Sequence, residues 1–115
     1  MTASATITKP AATPDDRAAL TAAVRAYSAA YFKPDPGTAG KLLSARCRKT
    51  TNTEAYAAAL SGAVSTWGRQ EIKSLTVDRL SGDMALVSYT YDAGALNQDG
   101  QPWVREGGAW HYDAC

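Results

Sequence analysis

The spacing of hydrophobic and polar positions changes about halfway along this chain, from a helical period to an alternating one. In the first half, large apolar and aromatic residues recur at steps of four, three and four, which is one face of an amphipathic helix. These positions are Leu20, Val24, Tyr27 and Tyr31. Thr13-Pro14-Asp15-Asp16 supplies a capping residue, a first-turn proline and two carboxylates that suit a helix start. The pattern predicts a long first helix that ends at Pro34-Asp35-Pro36-Gly37.

Two more helices are predicted before the period changes. A short one covers Thr38 to about Arg46. A third begins at Thr53-Glu54 and stops at Gly68, a natural residue for a helix C-terminus. Its apolar side is formed by Tyr56, Ala59, Leu60, Ala63 and Trp67.

The second half alternates in the manner of half-buried strands. Four segments are predicted to be strands: 72–80, 84–92, 102–106 and 109–113. The turns between them are assigned to Ser81-Gly82-Asp83, Asp99-Gly100 and Gly107-Gly108. We expect Trp103 to face away from the core, where an exposed aromatic would mark a dimer surface. Three helices followed by an antiparallel meander of about four strands indicate an α+β domain, with the helices on one face of a curved sheet.

Length and charge narrow the class of protein. A chain of 115 residues suits one domain, which we place at 14–115, and leaves no room for a second core. A net charge of +1 gives no general attraction to nucleic acid or anionic lipid, and no apolar run is long enough to span a membrane. Residues 1–13 lack a periodic pattern, so we predict a flexible leader or stalk. Two origins stand: an exported protein whose signal or anchor lies upstream, and an ordinary frayed cytoplasmic N-terminus.

The helices and the meander together resemble the nuclear transport factor 2-like superfamily. The resemblance covers about residues 14–115 and rests on the capped first helix, the helical pair ending at Trp67-Gly68, and the final segment 107–113. Leu43-Ser44-Ala45-Arg46-Cys47-Arg48, together with Tyr112-Asp113-Ala114-Cys115, is similar to small exported or surface-tethered actinobacterial members. The resemblance implies a cone-shaped, cystatin-like fold, which is shared by enzymes and by binding modules.

The chain has two cysteines, Cys47 and Cys115. One histidine and no C-x-x-C spacing give no metal motif, so no metal site or cofactor is predicted. In a fold of this kind the last strand can end beside the helix that precedes Cys47, which would allow a disulfide bond. That bond would imply an oxidising compartment and a secreted or cell-surface location. The alternative is two separate thiols, one of them buried.

Three sets of residues are candidates for catalysis. His111 shares a strand face with Asp113, although a solvated or interface histidine explains the same pattern. Isomerase chemistry needs a base carboxylate and a tyrosine with a protonated carboxyl group; Tyr27 or Tyr31 with Asp92 or Asp113 could be nominated. The epoxide hydrolase branch uses two aspartates around an arginine, and the nearest equivalent here is Arg105 with Asp92 and Asp113. None of these sets matches a motif, so no catalytic residue is assigned.

The aromatic residues predict a binding pocket between the helices and the sheet. Its candidate lining residues are Tyr27, Tyr31, Trp67, Tyr89, Tyr91 and Trp110. Phenol tips in an apolar pocket suit a small hydrophobic ligand. The alternative is that the rings fill the cone completely.

Charge is divided along the chain, with basic residues early and acidic residues late. Arg46, Arg48 and Lys49 form a candidate patch for an anionic partner, such as an envelope polymer or a lipid head group. The alternative is charge complementarity between the helices and the sheet. No aromatic residues are interleaved with a continuous basic groove, so nucleic acid is not an expected partner.

These patterns favour a small exported or surface-tethered binding or interaction module without catalytic activity. We expect it to form a homodimer through the outer face of the sheet. The main alternative is a polyketide-cyclase- or isomerase-like enzyme that works in the cone. A third interpretation is a structural extracellular domain of a larger protein, with residues 1–13 as its stalk.

Overall fold

The computed structural model describes residues 14–115, and the predicted leader lies outside them. In this part of the chain four helices precede four strands. The helices are α1 (Pro14–Phe32), α2 (Pro36–Lys41), α3 (Ala45–Thr50) and α4 (Thr53–Trp67). The strands are β1 (Ser74–Ser81), β2 (Met84–Thr90), β3 (Gln98–Glu106) and β4 (Ala109–Tyr112), with a 3-10 turn at Gly94–Leu96. The antiparallel sheet has the order β1-β2-β3-β4, which confirms the α+β meander.

The predicted second helix is wrong in its extent, because the chain breaks at 42–44 into α2 and α3. Leu43 forms a parallel bridge with Tyr112, which draws this segment alongside β4. Ser44 then caps a new helix, since its side chain accepts a hydrogen bond from the backbone N–H of Cys47. Cys47 consequently lies inside α3 instead of following a helix.

The predicted turn at Asp99-Gly100 is also wrong, because both residues lie inside β3. The connection from β2 to β3 is longer and includes the 3-10 turn, and the Asn97 side chain closes it by accepting a hydrogen bond from the Tyr91 backbone N–H at 2.8 Å. The β2–β3 register shifts between Val87 and Tyr89. Trp103 faces the core at 1% exposure, so its predicted outward orientation is wrong.

The core lies between the helices and the inner face of the sheet. Along β2 the buried residues alternate, with Ala85, Val87 and Tyr89 facing inward. From α1, Leu20 and Val24 are fully buried against them. Hydrophobic burial of this face supplies the main stabilisation of the fold. Among the described residues, no helix combines the length and hydrophobicity needed to cross a membrane.

The predicted disulfide bond is present between Cys47 in α3 and Cys115 beyond β4, with Cα atoms 5.6 Å apart. Asp113 reinforces this junction, because its Oδ1 accepts a hydrogen bond from the Ser44 hydroxyl at 2.6 Å. The same carboxylate forms an ion pair with Arg46 at 3.2 Å. The C-terminal segment is therefore fixed to α3 by covalent and polar contacts.

Candidate functional site

A cavity of about 120 Å³ lies between α1 and the sheet, at the end where β2 leaves the sheet. Its lining consists of Tyr27, Ser28, Tyr31, Phe32, Tyr89, Tyr91, Leu96, Gln98, Gln101 and Tyr112. The helical period of α1 turns Tyr27 and Tyr31 toward the sheet, and strand alternation brings Tyr89 and Tyr91 to meet them. Four of the six predicted pocket residues therefore line one cavity.

Rigid ring packing shapes this aromatic cavity. Tyr27 stacks on Tyr112 with ring centroids 4.7 Å apart and planes inclined by 19°. The Tyr27 ring also meets Trp103 edge-on at 5.9 Å, and Phe32 meets Tyr91 in the same way at 5.4 Å. Edge-to-face and offset contacts are the favoured arrangements for aromatic pairs. Large rings held in these geometries leave a gap that their side chains cannot close.

Most of the polar groups around the aromatic cavity are paired with one another. The Ser28 and Tyr91 hydroxyls lie 2.7 Å apart, and the Tyr27 hydroxyl lies 3.0 Å from that of Tyr56. Gln101 is buried, and its Oε1 accepts hydrogen bonds from the Tyr89 hydroxyl and from Trp103 Nε1, both at 2.8 Å. Buried polar groups of this kind are costly unless they are paired. These pairs hold the rings in place and leave the inner surface mainly apolar.

Burial keeps the phenols of the aromatic cavity neutral. Desolvation raises the pKa of Tyr27 well above its usual range, and the hydrogen bond with Tyr56 adds to the effect. Desolvation likewise raises the pKa of Tyr89, and the neighbouring Tyr91 adds to the effect. Burial also raises the pKa of Tyr31, Tyr56, Tyr91 and Tyr112. A tyrosine with a raised pKa does not act as a base near neutral pH.

Sequence reasoning did not identify Ser28, Phe32, Leu96, Gln98 or Gln101 as lining residues. Ser28 and Phe32 directly follow the two tyrosines of α1, and this adjacency was the available signal. Gln101 could not be identified from the sequence, because the register shift determines which residues of β3 face inward. Pattern reading places side chains on the correct face only where the register is regular.

Two predicted lining residues lie elsewhere. Trp67 is 40% exposed at the end of α4 and does not line the aromatic cavity. Trp110 is buried, but it packs under Arg105, whose guanidinium carbon lies 5.1 Å from the ring centroid. Arg105 also pairs with Asp16 at 2.8 Å and with Asp83 at 3.0 Å. We call this group the closed corner: Asp16, Asp83, Arg105 and Trp110.

Tyr27 and Tyr31 line the aromatic cavity, but the other candidate catalytic groups lie outside it. Asp92 is exposed and paired with Lys73 at 3.1 Å, and Asp113 is bound by Ser44 and Arg46. His111 pairs in register with Val104 on the outer face of the sheet. None of the ten described lining residues carries a carboxyl group or an imidazole. Within residues 14–115, no three His, Cys, Asp or Glu side chains are placed to hold a metal ion.

The three residues of the candidate anion patch differ in the contacts that they make. Arg46 donates to the Asp113 backbone carbonyl at 2.7 Å and is ion-paired with the Asp113 carboxylate. Arg48 donates to the Lys41 carbonyl at 3.3 Å, and Lys49 is exposed in the last turn of α3. The charge of Arg46 is therefore balanced within the protein, whereas Arg48 faces a neighbouring groove beside Lys41.

Comparison with known proteins agrees with this architecture. No protein-family model and no curated protein matches the sequence. Among solved structures, the chain is similar to a protein of unknown function with a cystatin-like fold from Nostoc punctiforme PCC 73102. The two share 10% identity over 87% of each chain, with a TM-score of 0.63. This likeness confirms the cystatin-like fold; the narrower resemblance to nuclear transport factor 2-like and actinobacterial proteins stays a prediction.

Proposed function

We propose that the protein is a small exported or surface-tethered binding module without catalytic activity, whose aromatic cavity receives a small uncharged apolar group. The observation that carries the proposal is the cavity of about 120 Å³, walled by tyrosine rings, where the hydroxyls of Tyr27, Tyr89 and Tyr91 are paired with neutral side chains. An apolar cavity of about 150 Å³ in another protein is large enough to hold benzene. A space of this size suits a single ring or a short branched chain.

The lining residues favour binding over catalysis. A cyclase or isomerase acting in the cone needs a base within reach of its substrate, and isomerase chemistry of this type uses a carboxylate. The described lining supplies phenols and amides instead. The disulfide between Cys47 and Cys115 supports the extracytoplasmic location, because such bonds persist in oxidising compartments.

The test is a titration with toluene and phenol, followed by amide chemical shifts. We expect saturable shifts at Tyr27, Tyr89 and Tyr91 in the unaltered protein. Leu96→Trp places a large ring at the edge of the aromatic cavity and should abolish them. Leu86→Trp makes the same change on the outer face of the sheet and serves as the control. Binding that is absent in the unaltered protein, or lost equally in both variants, would contradict the proposal.

A second candidate function is self-association through the outer face of the sheet, and an exposed apolar surface favours it. Met84 is 67% exposed, and Leu86, Pro102 and Val104 pair around it in register. Arg79 stands beside this surface, while Asp78 and Asp99 both contact the Ser88 hydroxyl farther along the same face. In an antiparallel pair of sheets, the arginine of one copy would meet the carboxylates of the other, which is the self-complementarity of a two-fold interface.

Sedimentation equilibrium tests this homodimer. We expect a species of twice the chain mass at high concentration, and Met84→Lys should shift it to the monomer because a charge in an apolar interface is costly. Ser61→Lys introduces the same charge on exposed α4 and is the control. A monomer at all concentrations would exclude the interface.

A further inference from the structure

We propose that a groove on the helical layer, separate from the aromatic cavity, binds a small amphipathic carboxylate. The helical groove lies between α2, α3 and the start of α4 and has a volume of about 340 Å³. Its lining consists of Pro36, Gly37, Gly40, Lys41, Leu43, Arg48, Thr51, Thr53 and Tyr56. That volume lies at the lower end of the range of small-molecule sites.

Two cations, Lys41 and Arg48, mark one side of the helical groove. Among the described residues, neither Lys41 nor Arg48 forms an ion pair. Arg48 donates to the Lys41 carbonyl at 3.3 Å, which ties the guanidinium of α3 to the end of α2. Asp35 caps α2 and accepts from the Thr38 backbone N–H at 3.1 Å; its hydrogen bonds with Thr38 are the main cause of its lowered pKa, and Lys41 contributes less. An arginine and a lysine held together in this way favour a bound carboxylate.

The floor of the helical groove is apolar. Leu43 is buried, and Pro36 is half-buried. The Tyr56 hydroxyl is engaged with Tyr27 at 3.0 Å, so the tyrosine contributes its ring and not a free polar group. Because a floor of this kind gains from contact with hydrocarbon, the ligand requires an apolar body as well as a charged head.

The remaining walls of the helical groove leave space for a ligand. Gly40 has no heavy atom within 4 Å of the position that a Cβ would occupy, so this wall is open. Thr53 lies at the first position of the fifteen-residue α4, whose start is already capped by Asn52 and carries Glu54 in its first turn. The Thr51 hydroxyl is already bonded to the Cys47 carbonyl at 2.6 Å. The anionic head is therefore expected between Arg48 and Lys41.

The two sites differ in the chemistry that they accept. The aromatic cavity has about one third of the volume and no cation in its lining, which suits a neutral ligand. The helical groove joins two cations to an apolar floor, which suits a singly charged head on a hydrocarbon chain. A bare polyanion would leave the floor without contacts, and a neutral alcohol would leave the cations without a partner.

The probe is octanoate, with 1-octanol and inorganic phosphate as comparison ligands, in amide-shift titrations and calorimetry up to about 10 mM. We expect saturable octanoate binding with shifts at Gly40, Arg48 and Tyr56, and weaker binding of both comparison ligands. Arg48→Gln and Lys41→Gln should each weaken octanoate binding about tenfold. Lys49→Gln removes a neighbouring charge outside the lining and should leave the affinity within about twofold.

Gly40→Leu tests the groove without removing a charge. The leucine fills open space and raises helix propensity, so the fold should be kept, as circular dichroism will show, while octanoate binding is lost. Leu96→Trp, which obstructs the aromatic cavity, should leave octanoate binding unchanged, and this separates the two proposals. The inference is overturned by no octanoate binding, by equal binding of octanol or phosphate, by unchanged affinity in Arg48→Gln, or by loss of binding in Leu96→Trp.

Discussion

The two ends of the space between α1 and the sheet are filled in opposite ways. At the closed corner, Arg105 joins Asp16 of α1 to Asp83 of the β1–β2 turn and lies over the Trp110 ring. At the cavity end, tyrosines from α1, β2 and β4 meet, and the hydroxyls of Tyr27, Tyr89 and Tyr91 pair with neutral partners. Both ends belong to one inner face, so the difference comes from the residues and not from the architecture.

The difference follows a gradient of side-chain size along α1 and β2. Leu20 and Ala85 lie toward the closed corner, whereas Tyr31 and Tyr91 lie at the other end. Small aliphatic side chains interdigitate to high density, but large rigid rings leave space between them. The cavity therefore lies where the large rings are. Charged side chains close the opposite end, which is accessible to water.

The largest effect should come from cutting the covalent bond near the cavity end. Cys47→Ala with Cys115→Ser opens a crosslink between residues 68 positions apart, which is worth about 4 kcal/mol from chain entropy. Urea unfolding measures the loss in the free energy of unfolding. We expect Tyr112 amide protection to fall before that of Ala85. A loss below about 1 kcal/mol would mean that the polar contacts of Asp113 are sufficient alone.

Alkaline pH should destabilise the cavity end selectively. The folded state raises the pKa of Tyr27 and Tyr89 above the ordinary value of 10.0, so their stabilising contribution is complete below that pH and is lost as the pH rises above it. Above pH 10.0 the phenol ionises in the unfolded chain but stays neutral in the folded protein. For each such phenol, the free energy of unfolding falls by about 1.4 kcal/mol for every unit of pH increase. Tyr27→Phe should make the decline shallower. Identical slopes in the two proteins, from urea unfolding between about pH 8 and pH 11, would contradict the assignment.

The smallest effect should come from the closed corner. Arg105 is 27% exposed, so solvent screens its ion pairs, and Arg105→Met should cost only about 1 kcal/mol, including the contact with Trp110. The loss should shrink at high salt. Arg79→Met, on the exposed outer face, should change stability by less than about 0.5 kcal/mol. Equal effects of the two substitutions would remove the distinction between the corner and an ordinary surface.

Local signals in the sequence were sufficient for most of the secondary structure. The apolar face of α1 and the alternation of β2 depend on residues that are close in sequence, and the structure has both elements. The break between α2 and α3 depends on a bridge from Leu43 to Tyr112, which no local pattern contains. Asp99-Gly100 has turn composition, yet long-range pairing holds it inside β3.

The candidate site was predictable in its aromatic residues but not in its polar partners. Tyr27, Tyr31, Tyr89 and Tyr91 follow from helix and strand periods. Gln101 required knowledge of the β3 register, and the pairing of Ser28 with Tyr91 joins residues 63 positions apart. The helical groove also could not be predicted from the sequence, because Lys41 and Arg48 come together only through the break between helices α2 and α3.

The bridge at Leu43 has a consequence for self-assembly. The Tyr112 backbone N–H donates to the Leu42 carbonyl, and the Ser44 N–H donates to the Tyr112 carbonyl, both at 2.7 Å. The segment 42–44 thereby occupies hydrogen-bonding groups of β4 that an edge strand would otherwise offer to another chain. The opposite edge, β1, is interrupted by a register shift at its charged Asp78. The fold thus protects both margins of the sheet against indefinite strand addition, by occupation on one side and by irregularity on the other.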